Sequence, residues 1–294
     1  DNMQFRGELD SARIVTVLDD YAGYETSFLA QHGIAILLEA SSGGVCKRVL
    51  LDAGQSALPI LHNLEIMDID PGSIDAIVVS HCHYDHTEGL VEVLRAVGRE
   101  GIPVIAHPTM FRPNYIFKPF IRNIGVTGKN GKVAIEEAGG LLVLVDEPFE
   151  IMPGVIVTGE VPRRRAFEKQ GIGTYNIEGG KVVPDEIRDD LSLTVKVKGK
   201  GLAVVSGCSH AGIVNIIDWC REIAAEPRVD LVIGGFHLIE ASGERIRETA
   251  QALKQLNVGR IVTGHCTGLE ALCEFSRILG DRFEQLHVGT TIQL

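Results

Sequence analysis

The stretch His81-Cys82-His83-Tyr84-Asp85-His86 decides the fold of this chain. It brings three histidines and an aspartate together within six residues, directly after the apolar run of residues 74–80. Neutral imidazoles bind zinc, iron or manganese, and a carboxylate offsets part of the charge of a dication. The apolar run is short, β-branched and preceded by Pro71-Gly72, so it predicts a buried strand that ends at the cluster. The pattern predicts a metal site where a strand meets a helix.

The overall composition is that of a globular protein with an acidic surface. The chain has 294 residues, of which 45% are hydrophobic and 23% charged, and its formal net charge is −11. A chain of this length can bury a substantial core. Its negative charge disfavours nucleic acid and anionic membranes as partners. We therefore expect a small-molecule substrate, no nucleic acid and no membrane partner, and the oligomeric state stays open.

The cysteines and the start of the sequence bear on the cellular location. The chain has six cysteines, and it does not open on a basic segment followed by an apolar one. No uninterrupted apolar run approaches membrane-spanning length. These features predict reduced thiols and a cytoplasmic protein.

Strand and helix patterns alternate along most of the chain. Both halves begin with strands and continue with alternating helices, which predicts α/β layers in which two packed sheets lie between helices. Strands are predicted at residues 13–18, 33–39, 48–51, 74–79, 102–106, 141–145, 155–158, 191–197, 202–206, 231–233 and 260–263, and helices at residues 57–67, 89–97, 213–225, 243–256 and 269–279.

The regular pattern fails over residues 108–140, where prolines and glycines separate a group of aromatic residues. This segment is predicted to be an inserted cap or lid. Its cations Arg112, Lys118 and Arg122 lie among aromatics that include Tyr115. Such aromatics either stack on a flat heterocycle while the cations bind phosphate, or pack in the core. We take Arg112 and Tyr115 as candidate substrate-binding residues.

Three motifs give the chain a family resemblance. The pattern His-x-His-x-Asp-His at residues 81–86, the run Val-Leu-Leu-Asp-Ala-Gly at residues 49–54 and Ile-Val-Thr-Gly-His at residues 261–265 resemble the metallo-β-lactamase superfamily. The resemblance covers most of the chain. It implies one domain over residues 1–294, an αββα sandwich of two mixed sheets flanked by helices. It also implies that Asp52 supports the metal ligands and that His265 binds a second metal ion.

Residues 206–213, 234–238 and 264–268 resemble one branch of that superfamily. Its members are labelled 7,8-dihydropterin-6-methyl-4-(β-D-ribofuranosyl)aminobenzene 5′-phosphate synthase-like proteins, or simply metal-dependent hydrolases. The first label implies the condensation of a dihydropterin-methyl diphosphate with a phosphorylated arylamine.

The chain departs from the superfamily pattern at two ligand positions. No histidine lies between His107 and His210, where a further metal-binding histidine is expected. Either Glu160 replaces it or the site is completed otherwise. The strand that usually precedes a bridging aspartate is followed here by Gly207-Cys208. His210 is the best replacement ligand. Cys208 is a further candidate because a thiolate suits zinc, although small buried cysteines are also common in cores.

The resulting hypothesis is a metal-dependent hydrolase that acts on a phosphate or ester group of a small anionic substrate, with pterin-like molecules among the candidates. The alternatives are the dihydropterin-type transferase and a non-catalytic, metal-dependent ligand-binding protein. One or two divalent ions are expected, zinc first, with iron, manganese or magnesium as alternatives. The predicted metal ligands are His81, His83, Asp85, His86, Cys208, His210 and His265. The predicted catalytic residues are His81, His83, Asp85 and Asp52. The candidate substrate-binding residues are Arg112, Tyr115, Glu160, Arg163 and His237.

Overall fold

A computed structural model describes residues 5–168 and 173–294. In chain order its strands are β1 (Ser11–Leu18), β2 (Ala35–Ser42), β3 (Val45–Leu51), β4 (Ala76–Val78), β5 (Ile102–Ala106), β6 (Tyr115–Ile116), β7 (Arg122–Asn123), β8 (Gly140–Leu144), β9 (Phe149–Met152), β10 (Val155–Val157), β11 (Tyr175–Glu178), β12 (Lys181–Pro184), β13 (Ser192–Val195), β14 (Leu202–Ser206), β15 (Val229–Gly235), β16 (Arg260–Gly264), β17 (Phe283–Gln285) and β18 (Thr291–Gln293). Its helices are α1 (Ala57–Ile66), α2 (Tyr84–Thr87), α3 (Leu90–Val97), α4 (Lys132–Glu137), α5 (Ile213–Ile223), α6 (Gly243–Gln255) and α7 (Leu269–Leu279).

Two seven-stranded sheets form the centre of the fold. The first has the order β18-β1-β2-β3-β4-β5-β8, and the second has the order β17-β16-β15-β14-β13-β10-β9. Both are mixed: β3, β4, β5 and β8 run parallel in the first sheet, and β14 to β17 run parallel in the second. The other pairings in these two sheets are antiparallel. The predicted pair of mixed sheets is confirmed.

The apolar side chains divide into three layers. One buried cluster lies between the sheets and includes Leu38, Val49 and Val205. A second packs α1 and α3 on the outer face of the first sheet, and a third packs α5, α6 and α7 on the outer face of the second. Strands buried on both faces are almost continuously apolar, and each fully buried aliphatic side chain contributes about 1.5–3 kcal/mol. The order of layers is therefore helix, sheet, sheet, helix, as predicted.

A small third sheet stands outside this sandwich. Its strand order is β12-β11-β6-β7, and Tyr115 of β6 pairs with Tyr175 of β11. The sheet joins a hairpin from the segment 108–140 to a hairpin from the second half of the chain. The same segment also contains α4, whose Ile135 is fully buried with the outer cluster of the first sheet. Part of the segment therefore belongs to the helical layer, and the cap assignment stays a prediction for the β6–β7 hairpin.

None of the helices in the described part of the chain combines the length and apolar character that crossing a bilayer requires. The six cysteines are all free thiols, four of them buried.

Candidate metal centre

The candidate ligands lie in the segments that follow several strands, at one edge of the two sheets. Asp52 directly follows β3, and the His81–His86 motif follows β4 and leads into the short helix α2. Cys208 and His210 follow β14, and His265 follows β16. Because neighbouring parallel strands end at the same edge, the loops after them meet there. Gly207 is required at this edge: a Cβ atom at that position would collide with the Ser80 side chain.

One group of donor atoms consists of His81, Cys208 and His210, whose ligand atoms lie within 4.8 Å of one another. His83 adjoins this group, since its Nδ1 is 3.0 Å from His81 Nε2. All four side chains are buried, and neither ring nitrogen of His210 has a hydrogen-bond partner. A buried imidazole without any partner is costly unless something else binds it. The His210 ring is therefore placed as a metal ligand would be.

A second group consists of Asp85, His86, Cys208 and His265, again within 4.8 Å. Asp85 Oδ2 is 3.3 Å from Nε2 of His86 and 3.3 Å from Nε2 of His265. Cys208 Sγ is 3.1 Å from His86 Nε2 and 3.4 Å from His265 Nε2. Cys208 thus belongs to both groups. Imidazole, thiolate and carboxylate are the donors that zinc prefers, so the residues present fit a dication in each group.

Carboxylates behind the ligands fix the orientation of two rings. Asp52 Oδ2 is 2.6 Å from His86 Nδ1, and Asp52 also accepts hydrogen bonds from the backbone and side chain of Ser80. Asp20 Oδ1 is 2.7 Å from His265 Nδ1. Each carboxylate engages Nδ1 and leaves Nε2 directed into the donor group, the usual support for metal-binding histidines. Asp52 thus lies behind the His86 ring, and its support of a metal ligand stays a prediction.

His83 is oriented differently, by a network from the segment 108–140. Its Nε2 is 3.2 Å from Asn114 Oδ1, and Asn114 Nδ2 donates to Asp185 Oδ2 at 2.9 Å. Arg112 pairs with Asp185 through Nε at 2.6 Å and with Asp189 through Nη2 at 2.8 Å. Asn114 therefore fixes the ring so that Nδ1 faces His81.

We expect Asn114→Ala to weaken metal binding by about 10–100-fold, the usual effect of removing a group that orients a ligand. The reason is that the His83 ring loses its Nε2 partner while the ligand itself remains. Titration of the metal-free protein with zinc measures this affinity. Asn176→Ala, a matched amide deletion in β11 whose Oδ1 accepts from the neighbouring Ile177 N–H, should leave the affinity unchanged. Equal affinities for wild type and Asn114→Ala would contradict the role of Asn114.

Burial and neighbouring charges divide the histidines into two kinds. Burial lowers the pKa of His83 to about 4 and lowers the pKa values of His81 and His210 well below the usual range. Low pKa values favour the neutral form of these rings, which is the form that binds a metal ion. Burial also acts to lower the pKa of His86, but the charges of Asp85 and Asp52 outweigh it and raise that pKa to about 10. A metal ion bound beside His86 would therefore replace a proton.

The candidate substrate-binding residues do not all lie together in the structure. His237 joins the centre: its ring centroid is 4.3 Å from that of His210, and it forms a donor group with Cys208 and Cys266. Cys266 was not singled out by sequence, although it directly follows His265. Arg112 is engaged by its two carboxylates, and Tyr115 pairs within the third sheet.

Glu160 and Arg163 do not line the cavity over the donor groups. Glu160 Oε1 is 3.2 Å from His107 Nε2, and Arg163 donates to the backbone oxygens of His210, Glu186 and Ile187. Both residues line a separate cavity of about 300 Å³. Among the described residues, Glu160 is in none of the groups able to hold a metal ion.

A cavity of about 280 Å³ opens directly over the donor groups. Its floor is formed by His83, Asp85, Cys208, His237, His265 and Cys266, and its walls by Asp20, His32, Tyr84, Ile116, Arg122, Ile124, Ile239 and Glu240. Asp20 and His32 are site residues that the sequence reasoning missed. Asp20 lies two residues after the end of the predicted first strand, a signal that could have nominated it. The cavity gives a small molecule access to both donor groups.

Comparisons with known proteins show which family the chain belongs to. A model of the β-lactamase superfamily domain matches residues 47–122. The 7,8-dihydropterin-6-methyl-4-(β-D-ribofuranosyl)-aminobenzene-5′-phosphate synthase of Methanocaldococcus jannaschii is 43% identical over 98% of this chain and 98% of its own length. MJ0448, an uncharacterized protein of the same organism, is 33% identical over 95% of this chain and 99% of its own.

A solved structure supports the same family. A crystal structure of a metal-dependent hydrolase of the β-lactamase superfamily is 27% identical, covers 96% of this chain and 99% of its own, and superimposes with a TM-score of 0.80. The fold, the motifs and these similarities together confirm the predicted relationship. The chain is an enzyme of the metal-dependent metallo-β-lactamase superfamily and belongs to the branch that contains the dihydropterin synthase.

Proposed function

We propose that the protein condenses a dihydropterin-methyl diphosphate with 4-(β-D-ribofuranosyl)aminobenzene 5′-phosphate. The observation that carries the proposal is the 43% identity to the synthase over 98% of both chains. In this reaction the arylamine nitrogen forms a bond to the methylene carbon of the pterin. The bond from that carbon to the diphosphate oxygen breaks, diphosphate leaves with the electron pair, and the nitrogen loses a proton. This was the alternative interpretation of the sequence, and it has better support than simple hydrolysis.

The donor groups support a binuclear centre that holds zinc. In this proposal His81, His83 and His210 would hold one ion, and Asp85, His86 and His265 would hold the other. Cys208 would contribute to both, since its sulfur belongs to both groups. Dications bound there would supply Lewis acidity that stabilises the negative charge of the departing diphosphate.

The chain's own residues govern which nucleophile reaches the methylene carbon. The apolar side chains of Ile116, Ile124 and Ile239 and the ring of Tyr84 line the cavity above the donor groups. Apolar walls of this kind pack against a flat heterocycle and exclude water. Exclusion of water matters because water at the methylene carbon would give hydrolysis instead of condensation. Asp52 and Asp20 meanwhile hold the His86 and His265 rings in place.

Hydrolysis of a phosphate or ester group is the second candidate. It is favoured by the 27% identical structure, which is described as a metal-dependent hydrolase. The same donor groups would then orient a water molecule as the nucleophile. With dihydropterin-methyl diphosphate as the substrate, the two candidates differ in the nucleophile, which is the arylamine in condensation and water in hydrolysis.

Diphosphate release with and without the arylamine phosphate separates the two candidates. We expect zinc-loaded protein to release diphosphate from dihydropterin-methyl diphosphate only when the amine is present, with one condensed product formed per diphosphate. His86→Ala protein provides the control for contaminating activity. Release at the same rate without the amine would assign the protein to the hydrolases and end the condensation proposal.

A further inference from the structure

The charged side chains around the cavity over the metal centre are mostly acidic, although the proposed substrates carry phosphate groups. Three carboxylates line it, those of Asp20, Asp85 and Glu240, and the whole chain carries a net charge of −11. Phosphorylated substrates approaching this surface are repelled unless cations offset the field, and metal ions held by the donor groups would do so only at the floor of the cavity. Of the described residues that line the cavity, Arg122 is the only arginine or lysine.

Arg122 is held over the cavity by the hairpin that bears it. It lies on β7, opposite Ile116 of β6, and its guanidinium carbon is 5.4 Å from the centroid of the Tyr84 ring. Tyr84 belongs to the metal-binding motif itself, and its backbone N–H donates to the oxygen of Ile124 at 2.9 Å. A cation within about 6 Å of an aromatic centroid is attracted to the ring, which favours this position of the guanidinium. The hairpin thus joins Arg122 directly to the motif that supplies the ligands.

The guanidinium of Arg122 is available to a ligand, in contrast to the other arginines considered from the sequence. Arg122 is exposed and forms no ion pair with the described acidic residues. Arg112 is paired with two carboxylates, and Arg163 donates to three backbone oxygens at the wall of the other cavity. Arginine forks match phosphate oxygens in pairs, and such charge-assisted hydrogen bonds are about twice as strong as neutral ones.

We infer that Arg122 binds a phosphate group of the substrate at the mouth of the metal-centre cavity. The inference deepens the proposed function and rests on it for the identity of the substrates. Those substrates offer two sources of the same chemistry, the diphosphate of the pterin and the 5′-phosphate of the arylamine. Because Arg122 and the donor groups face one cavity, a phosphate held by Arg122 stays next to the candidate metal ligands.

Binding of two simple anions to the zinc-loaded protein tests the inference without turnover. The probes are inorganic pyrophosphate, for the pterin diphosphate, and ribose 5-phosphate, for the arylamine phosphate. We expect Arg122→Gln to weaken binding of one of them by about 10-fold or more. Arg122→Lys should recover part of the loss, since the charge returns without the fork. Calorimetric titration gives both dissociation constants, and the anion that loses affinity identifies the source.

Lys118→Gln is the matched control. Lys118 lies in the same hairpin, is exposed and carries the same charge, but it does not line the cavity. Its replacement should change neither affinity. If Arg122→Gln and Lys118→Gln bind both anions as the wild type does, or if the wild type binds neither, the inference is wrong.

The outcomes of the two experiments are separable. Unchanged anion binding in Arg122→Gln, together with amine-dependent diphosphate release, overturns the inference and leaves the condensation intact. Weakened anion binding, together with amine-independent release, ends the condensation proposal and supports Arg122 as the phosphate-binding residue of a hydrolase.

Discussion

Cys208→Ala should lower turnover by more than about 100-fold and reduce the metal content of the purified protein. The loss of a residue that merely orients a metal ligand already costs about 10–100-fold. The Cys208 sulfur is 3.1 Å from His86 Nε2 and 3.4 Å from His265 Nε2, and it is a member of both donor groups. Its removal therefore affects both groups at once. Elemental analysis gives the metal content, and steady-state rates with saturating substrates give turnover.

Cys220→Ala is the matched control for the loss of a buried thiol. Cys220 is fully buried on α5, in the apolar cluster outside the second sheet, and it belongs to no donor group. We expect a small loss of stability, about 1 kcal/mol, with normal metal content and turnover. If Cys208→Ala retained the metal content and the rate of Cys220→Ala, Cys208 would be a core residue and not a ligand.

Complete removal of metal ions should abolish activity and lower the melting temperature by at least about 5 °C. A ligand present at 1,000 times its dissociation constant stabilises the folded state by about 4 kcal/mol, which in a protein of this size corresponds to several degrees. The physical reason is the state of the metal-free site. The His210 ring nitrogens stay buried without a partner, and Asp85 and Asp52 carry their charges in the same buried region.

The matched control for metal removal is the same chelator saturated with zinc, which should leave both quantities unchanged. Adding zinc back to the stripped protein should restore activity and melting temperature together. Full activity in a sample shown by elemental analysis to be free of metal would contradict a metal-dependent reaction.

The sheets and helices of the two sandwich halves could be predicted from the sequence because their periodicity is strong. The strands predicted at residues 102–106 and 202–206 and the helix predicted at residues 269–279 have those bounds in the structure. These segments are buried, so the apolar pattern reflects the packing directly. The predicted helix at residues 213–225 ends two residues early, at Ile223, with its last backbone positions capped by a tight turn. Ends of helices depend on such local contacts more than on periodicity.

Short or exposed strands could not be predicted from the sequence. The hairpin of β11 and β12 is mostly exposed and has almost no buried face, so it lacks the alternation that identifies a strand. The strands β17 and β18 have three residues each. β17 pairs with β16 across helix α7, and β18 pairs with β1 at the other end of the chain. Their pairing is determined by tertiary packing, which a local pattern does not contain.

Site residues that are clustered in the sequence could be predicted, whereas those that stand alone in the sequence were harder to identify. His81 to His86 lie in one motif, whereas Asp20, Asn114 and Asp185 come from separate loops. A single aspartate or asparagine in a loop more often caps a turn, so its sequence carries no sign of a role behind a ligand. Arg112 shows the reverse: the type of residue suggested phosphate binding, but two carboxylates already occupy its guanidinium.

The small third sheet has a consequence for how relatives of this protein diverge. The candidate metal ligands come from the ends of the large sheets, whereas part of the cavity wall comes from the β6–β7 hairpin. The hairpin positions that line the cavity, Ile116 and Arg122, can therefore change with the substrate, whereas Asn114 at the base of the hairpin is tied to His83. Lineages can acquire new substrates through these positions while the ancestral metal chemistry is inherited unchanged.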